Sequence, residues 1–421
     1  MKTLKVQLLA AMCGFNNAAA EPKLLSTKRV SATQAVVAMA MFCAVLFVAV
    51  PPAQAETENV FYSFVNSPDG ANPRFVTPVL DAKGNLYGTT NYGGAYNYGT
   101  VFKVTPSGEE TILHSFDPNG TDGAYPWAGL VRDAKGNLYG TTVEGGTDVI
   151  DGTVFKLTRT RKGWAETILH SFGASGDGSQ PYSVLTLDKT GNLYGTTNVG
   201  GAYSYGTVFE LTPSGTETIL WSFGNGTDGA NPLAGVVRDA KGNLYGTTEY
   251  GGTYNKGIVF ELTPSGTEKV LWNFGGGTDG ANPYGGVIRD AKGNLYGTTA
   301  NGGVYGDGTV FEVTRSGMET ILHSFDNNDI DGFNPYAGLV MDKKTGNLYG
   351  TTISGGGTGS SAGVVFELTP SGTETILHTF TGSPDGASPW GGLVFDRTGS
   401  LYGTTFAGGA SGNGTVYQVT P

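Results

Sequence analysis

Short apolar runs, four to seven residues long and broken by Gly, Asn, Asp and Ser, recur along most of this chain. One of them, Leu-Tyr-Gly-Thr-Thr, is written seven times, beginning at Leu86, Leu138, Leu193, Leu244, Leu295, Leu348 and Leu401. Periods of this size mark a repeat architecture. The second copy reads clearly: "AGLVRD" (128–133), a turn, "NLYGTT" (137–142), a Gly-rich loop, "GTVFKLT" (152–158) and "ETILHSF" (166–172). Each run is rich in Val, Ile, Leu, Tyr, Phe and Thr and is bounded by turn residues, the signature of a strand. No run outside the first 55 residues holds a 3.6-residue apolar period. Seven copies of four strands predict an all-β fold, a seven-bladed β-propeller of four-stranded antiparallel blades.

The ends of the repeat region predict closure. "NVFYSF" (59–64) matches the fourth strand of the repeat, whereas "GTVYQVTP" (414–421) matches the third, so the last repeat lacks its outer strand. An N-terminal strand that completes the last blade leaves no open edge, which a ring requires and a linear solenoid, the alternative, does not. The "DAKGN" and "TPSG" hairpins then share one face. The loops joining fourth to first strands and second to third strands share the other.

Residues 1–55 read differently. Lys23, Lys28 and Arg29 precede an apolar run from Ala35 to Val50, followed by Pro51-Pro52 and "AQA" ending at Ala55. This is the pattern of a secretory leader cut after Ala55, and the run is shorter than the ~20 residues of a spanning helix. A retained N-terminal anchor is the alternative. The reading is therefore a leader over 1–55 and a propeller over 56–421, in a secreted, periplasmic or cell-surface bacterial protein. Both cysteines, Cys13 and Cys43, lie in the leader, so disulfides, thiolate metal sites and a Cys nucleophile are not expected of the remainder. The formal net charge is −11, and the leader holds five Lys and Arg against Glu21 alone. Such an acidic surface argues against nucleic acid or an anionic membrane as partner. A monomer without a membrane span in the mature chain is expected.

"AGLVRDAKGNLYGTT" is similar to the strand–turn–strand unit of NHL-type and gluconolactonase-like propellers. The whole repeat, with its "GG" loop, "GTVFELTPSG" and "LHSF", resembles the GloVer (Gloeobacter/Verrucomicrobia-type) tandem repeat over essentially all of 59–421. That resemblance implies exported bacterial proteins and no defined activity. Gluconolactonase- or lyase-like propellers work through a central metal held by unlike residues. Here the inner strands offer Leu80, Arg132, Arg238, Arg289, Met341 and Phe395 before their terminal Asp.

Candidate chemistry is sparse. His114, His170, His323 and His378 share one repeat position with Tyr62, Trp221 and Trp272, so they read as space-filling residues of the outer strand. "GSSAG" (359–363) matches a nucleophile-elbow pattern but lies between strands, out of the context the motif needs. Every fourth-to-first loop carries Asp-Gly, read as a turn in which Asp bonds its own backbone. In the copy "NNDIDG", Asn327, Asp329 and Asp331 have the opening spacing of a calcium loop, the one cofactor considered. The "TRTRKGWAE" hairpin of the second repeat (158–166) is basic and carries Trp164, a solvated hairpin or a protein contact.

Aromatic residues supply the remaining candidates. Trp127, Tyr182, Tyr284, Tyr336 and Trp390 begin the inner strands, with Leu233 at the equivalent place and Phe75 one residue out of register. A closed ring puts them at the mouth of the central channel, packed between blades or set to stack a ligand. Tyr98, Tyr205 and Tyr254, among other loop tyrosines, face the same side, and Tyr combines a rigid flat face with a hydroxyl. The function expected is a non-catalytic binding module for a glycan or a protein surface. The alternatives are a structural surface module without a small ligand and a metal-dependent lactonase- or lyase-like enzyme.

Overall fold

The computed structural model describes residues 58–117, 119–275, 278–326, 331–357 and 362–421. Among these there is no helix. Seven four-stranded antiparallel sheets are the blades of a propeller. Blade 1 uses Val79–Leu80, Leu86–Thr90, Thr100–Val104 and Glu110–Ser115 from the inside outward, and blades 2 to 7 repeat the order. In blade 7 the outer strand is Glu58–Ser63, which pairs antiparallel with Thr415–Val419 from Glu58↔Val419 to Ser63↔Thr415. The ring is closed by the N-terminal strand, as the ends of the repeat region predict.

Each letter of Leu-Tyr-Gly-Thr-Thr answers to one neighbour. Leu86 is buried at the contact between blades, and its six counterparts are buried likewise. The Tyr87 hydroxyl donates to Asp81 at 3.1 Å, steadying the hairpin before it. That same Asp81 accepts the Lys83 and Asn85 amides, which closes the turn on its own backbone. Gly88 is required by close approach: a Cβ there would lie 2.6 Å from the Phe102 ring. Thr89 donates to the Ala128 carbonyl of the next blade at 2.7 Å, and all seven blades make this bond, ending with Thr404 to Val76 across the closure. Thr90 bonds Thr100 of its own third strand and the Tyr92 carbonyl.

The core is correspondingly divided into seven clusters, each shared by neighbouring blades. Between blades 1 and 2, for example, Tyr87, Val101 and Phe116 pack on Leu130, Leu138, Phe155 and Leu157. Phe116 meets Phe155 edge-on with ring centroids 5.2 Å apart, and the other blades repeat the contact.

The loop-rich face carries an element that strand patterning misses. Seven two-residue ribbons, such as Gly70–Ala71 with Tyr92–Gly93, pair each fourth-to-first loop with the following second-to-third loop. Gly93 has φ +81, and a Cβ there would fall 2.2 Å from the Asp69 carbonyl oxygen. The ribbons fix where each inner strand begins, and so position the residues at the channel mouth.

Candidate binding site at the channel mouth

The inner strands converge on a central cavity of about 260 Å³. Its lining includes the small residues Ala128, Ser183, Ala234, Gly285, Ala337 and Gly392, with Val, Ile, Leu and Thr side chains further along the same segments. The Ser183 hydroxyl is committed to the Thr196 carbonyl. Above this wall lie Phe75, Tyr182, Leu233, Tyr284, Tyr336 and Trp390.

The sequence-predicted rim residues come together as a chain of rings. Tyr182 packs on Trp127 with centroids 4.5 Å apart, Trp127 reaches Phe75 at 6.3 Å, and Phe75 meets Trp390 at 5.3 Å. Trp390 meets Tyr336 at 5.6 Å, and Tyr336 stacks on Tyr284 at 4.4 Å with planes 6° apart. Leu233 interrupts the circle between Tyr182 and Tyr284. All six aromatic side chains are half-buried, packed on one another and still open toward the mouth.

Phe75 is in its structural register after all. Val76, just after it, accepts the cross-blade threonine bond that Ala128 accepts after Trp127. The extra residue is therefore Arg74. Its insertion leaves Phe75 at φ 51°, a left-handed conformation that a bulky side chain rarely adopts and that no other inner strand shares at this position. The Arg74 guanidinium carbon lies 3.8 Å from the Trp127 ring centroid and 4.5 Å from that of Trp390. Composition and motif reading gave no sign of this residue. The signal available was the spacing from Pro73 to Asp81, one residue longer than from Pro126 to Asp133.

The loop tyrosines divide. Tyr205 and Tyr254 are exposed, as are Tyr92, Tyr96, Tyr203, Tyr250 and Tyr305. Tyr98 is half-buried and packs on Tyr125 at 5.2 Å, which makes it part of a blade contact. Glu249, in the second-to-third loop of blade 4, is 8% exposed. Burial raises the Tyr284 hydroxyl above the ordinary tyrosine range, and the Glu249 carboxylate beside it adds to the effect. Glu144 lies near Tyr125 and Tyr182 in the same way. Blade order sets Glu249 on the far side of the ring from Arg74.

Asn327 and Asp329 lie outside the described residues. Asp331 accepts the Gly332 and Asp326 amides and faces His323 at 3.2 Å, as its counterparts do in other blades. "GSSAG" also falls largely outside the described residues. The basic hairpin is a lengthened pair of strands, Thr153–Thr160 and Gly163–Ser171, with Trp164 packed into the cluster between blades 1 and 2.

The four histidines do more than fill space. Each Nε2 sits 3.1 to 3.2 Å from the Asp of the following Asp-Gly turn, and Tyr62, Trp221 and Trp272 donate to the equivalent Asp. The shared property of the position is an aromatic ring with a polar hydrogen. A glutamate at one repeat position of the next blade's outer strand closes the contact: Glu166 lies 3.5 Å from His114, and Glu374 lies 3.7 Å from His323. In four of these groups the ligand-type atoms lie within 4.8 Å of one another. Because the other blades build the same contact with Tyr or Trp, it reads as a clasp between blades. Burial and the nearby Asp raise the glutamate carboxyls, to about 9 for Glu166 and about 8 for Glu217, Glu319 and Glu374.

The model of the Gloeobacter/Verrucomicrobia repeat matches residues 45–197 and 180–417. No curated protein matches the chain. Among solved structures it is similar to streptogramin B lyase, at 14% identity and TM-score 0.58 over 87% of this chain and 97% of that one. It is also similar to PorZ, an essential bacterial surface component of the type-IX secretion system of Porphyromonas gingivalis, at 16% identity and TM-score 0.50 over 83% and 46%. A periplasmic gluconolactonase of Pseudomonas aeruginosa, PpgL, aligns at 17% identity and TM-score 0.47 over 80% and 95%. At these identities the likeness is one of fold.

Proposed function

The chain belongs to the Gloeobacter/Verrucomicrobia repeat family, and on that footing we propose that its propeller is an exported binding module holding a glycan at the aromatic mouth of the central channel. The observation that carries this reading is the chain of six rings from Tyr182 to Tyr284, half-buried above a cavity and interrupted at Leu233. Flat apolar faces with a few hydroxyls at their edges suit sugar rings, which present apolar C–H faces and polar rims. Below the rings the lining is mostly aliphatic and glycine, without a carboxylate or histidine, which favours holding a ligand over transforming it. Export follows from the leader pattern in residues 1–55. The exposed tyrosines on the same face favour a second reading, contact with a protein surface.

Titration of the purified protein with a panel of oligosaccharides tests the proposal. Selective binding that weakens at least about tenfold in Trp127→Ala or Trp390→Ala is expected, the loss of one stacked ring. Leu233→Trp, which closes the gap in the circle, is expected to abolish binding while leaving the melting temperature unchanged. A panel without any binder sinks the glycan reading and leaves the protein-surface one.

A further inference from the structure

We infer that the mouth selects a sugar bearing a carboxylate, a uronate at the end of an oligosaccharide, and that Arg74 is the residue that reads it. The inference rests on the glycan reading above and narrows it. Blade 1 alone carries the inserted Arg74, and the insertion holds Phe75 in the left-handed region at φ 51°. Strain of this kind costs on the order of 1–3 kcal/mol and persists where the surroundings over-determine it. What the insertion delivers is a cation into the mouth, clamped between Trp127 at 3.8 Å and Trp390 at 4.5 Å.

The clamp decides which contacts are left. The guanidinium carbon is within cation–π reach of both indole rings, which leaves hydrogen bonding to the edges that carry its N–H donors. Those edges make no hydrogen bond or ion pair to protein among the described residues, and the Nε atom is buried without a partner. Burial among the rings also works against the charge. A partly desolvated cation whose N–H donors have no protein partner is complementary to a carboxylate, which accepts two parallel N–H bonds. The flanking rings offer the stacking surface for the sugar that carries it.

The surrounding charge limits the ligand to one such group. Glu144 stands in the loop of blade 2, beside Arg74, and Glu249 in that of blade 4, across the ring, and the whole chain has a net charge of −11. A polyanion would meet repulsion from both carboxylates as well as attraction to Arg74. A single carboxylate on an otherwise neutral chain meets its counter-ion and little else.

Calorimetric titration of the full protein with glucuronate- and galacturonate-ended disaccharides, each beside its carboxyl-reduced neutral counterpart, tests the inference. At least one acidic ligand is expected to bind about tenfold or more tightly than its neutral twin, with the preference shrinking as salt rises. Arg74→Gln is expected to remove the difference between the acidic ligand and its neutral twin. Arg74→Lys, which keeps the charge but loses the planar fork, is expected to retain only part of the preference. Equal binding of acidic and neutral sugars by the unaltered protein overturns the inference and leaves the glycan reading standing. So does a preference that survives Arg74→Gln. If neither kind binds, the glycan reading falls and the inference falls with it. Should Arg74→Gln fail to fold, the comparison of twin ligands and its salt dependence in the unaltered protein still decide.

Discussion

A glycine in mid-strand ordinarily weakens a sheet, yet this chain places one at the centre of every second strand. In blade 4 a Cβ on Gly246 would lie 2.7 Å from the Phe260 ring, and in blade 7 a Cβ on Gly403 would lie 2.4 Å from the Tyr417 hydroxyl. Gly246→Ala is therefore expected to cost about 1–3 kcal/mol through overpacking, read as a lower urea midpoint. The double variant Gly246→Ala with Phe260→Leu is expected to recover part of the loss, because the smaller side chain vacates the contact. A glycine needed only for its backbone freedom would show no such rescue. At this scale much was legible in advance, since seven copies of one motif act as their own comparison. Substitution of His only by Tyr or Trp, and never by Phe, carried the information that a polar hydrogen is needed. Arg74 was legible only as an extra residue between Pro73 and Asp81, because a single insertion has no second copy to give it meaning.

Among elements, the outer strands are joined head to tail by contacts that titrate. The carboxyls of Glu166, Glu217, Glu319 and Glu374 rise to about 8 or 9 on folding, from burial first and a neighbouring Asp second. His170 and His323 are also raised, because the hydrogen bonds and charges of nearby carboxylates outweigh burial. Between the unfolded and folded values the folded chain binds more protons, so raising pH lowers stability. The contribution of these groups is complete below the unfolded glutamate value and is lost as pH passes through about 8 to 9. The partner Asp122, Asp177 and Asp385 carboxyls are lowered and act with the opposite sign, failing only in acid. A melting temperature that declines from pH 5 to pH 9 is expected, with a shallower slope in Glu166→Gln. A flat profile over that range would remove the clasp from the account. The partners are forty or more residues apart in the chain and in different blades, which is why no local pattern announced them. The two-residue ribbons escaped for a related reason: a pairing so short has no alternation to detect.

For the whole molecule, closure rests on six residues. Without Glu58–Ser63 the strand Thr415–Val419 becomes an exposed edge, and the Asp385 contact with Glu58 is lost. Deletion of residues 56–64 is expected to broaden the thermal transition and to produce concentration-dependent oligomers by light scattering, since open edges recruit other strands. A monomer that melts as sharply as before would mean that the seven cross-blade threonine bonds and apolar clusters hold the ring alone. The architecture was readable because its two ends match complementary parts of one repeat. The mouth was readable in outline, as a set of aromatic positions, but its geometry depends on which copy departs from the others.

That departure has a consequence for stoichiometry. Seven equal blades would offer a ligand seven equal poses, and a bound sugar would have no preferred bearing around the axis. One inserted residue at blade 1, facing one leucine at blade 4, works like the index mark on a dial. On the binding role proposed above, a propeller of nearly interchangeable parts would take a single molecule, in a single orientation, one per chain.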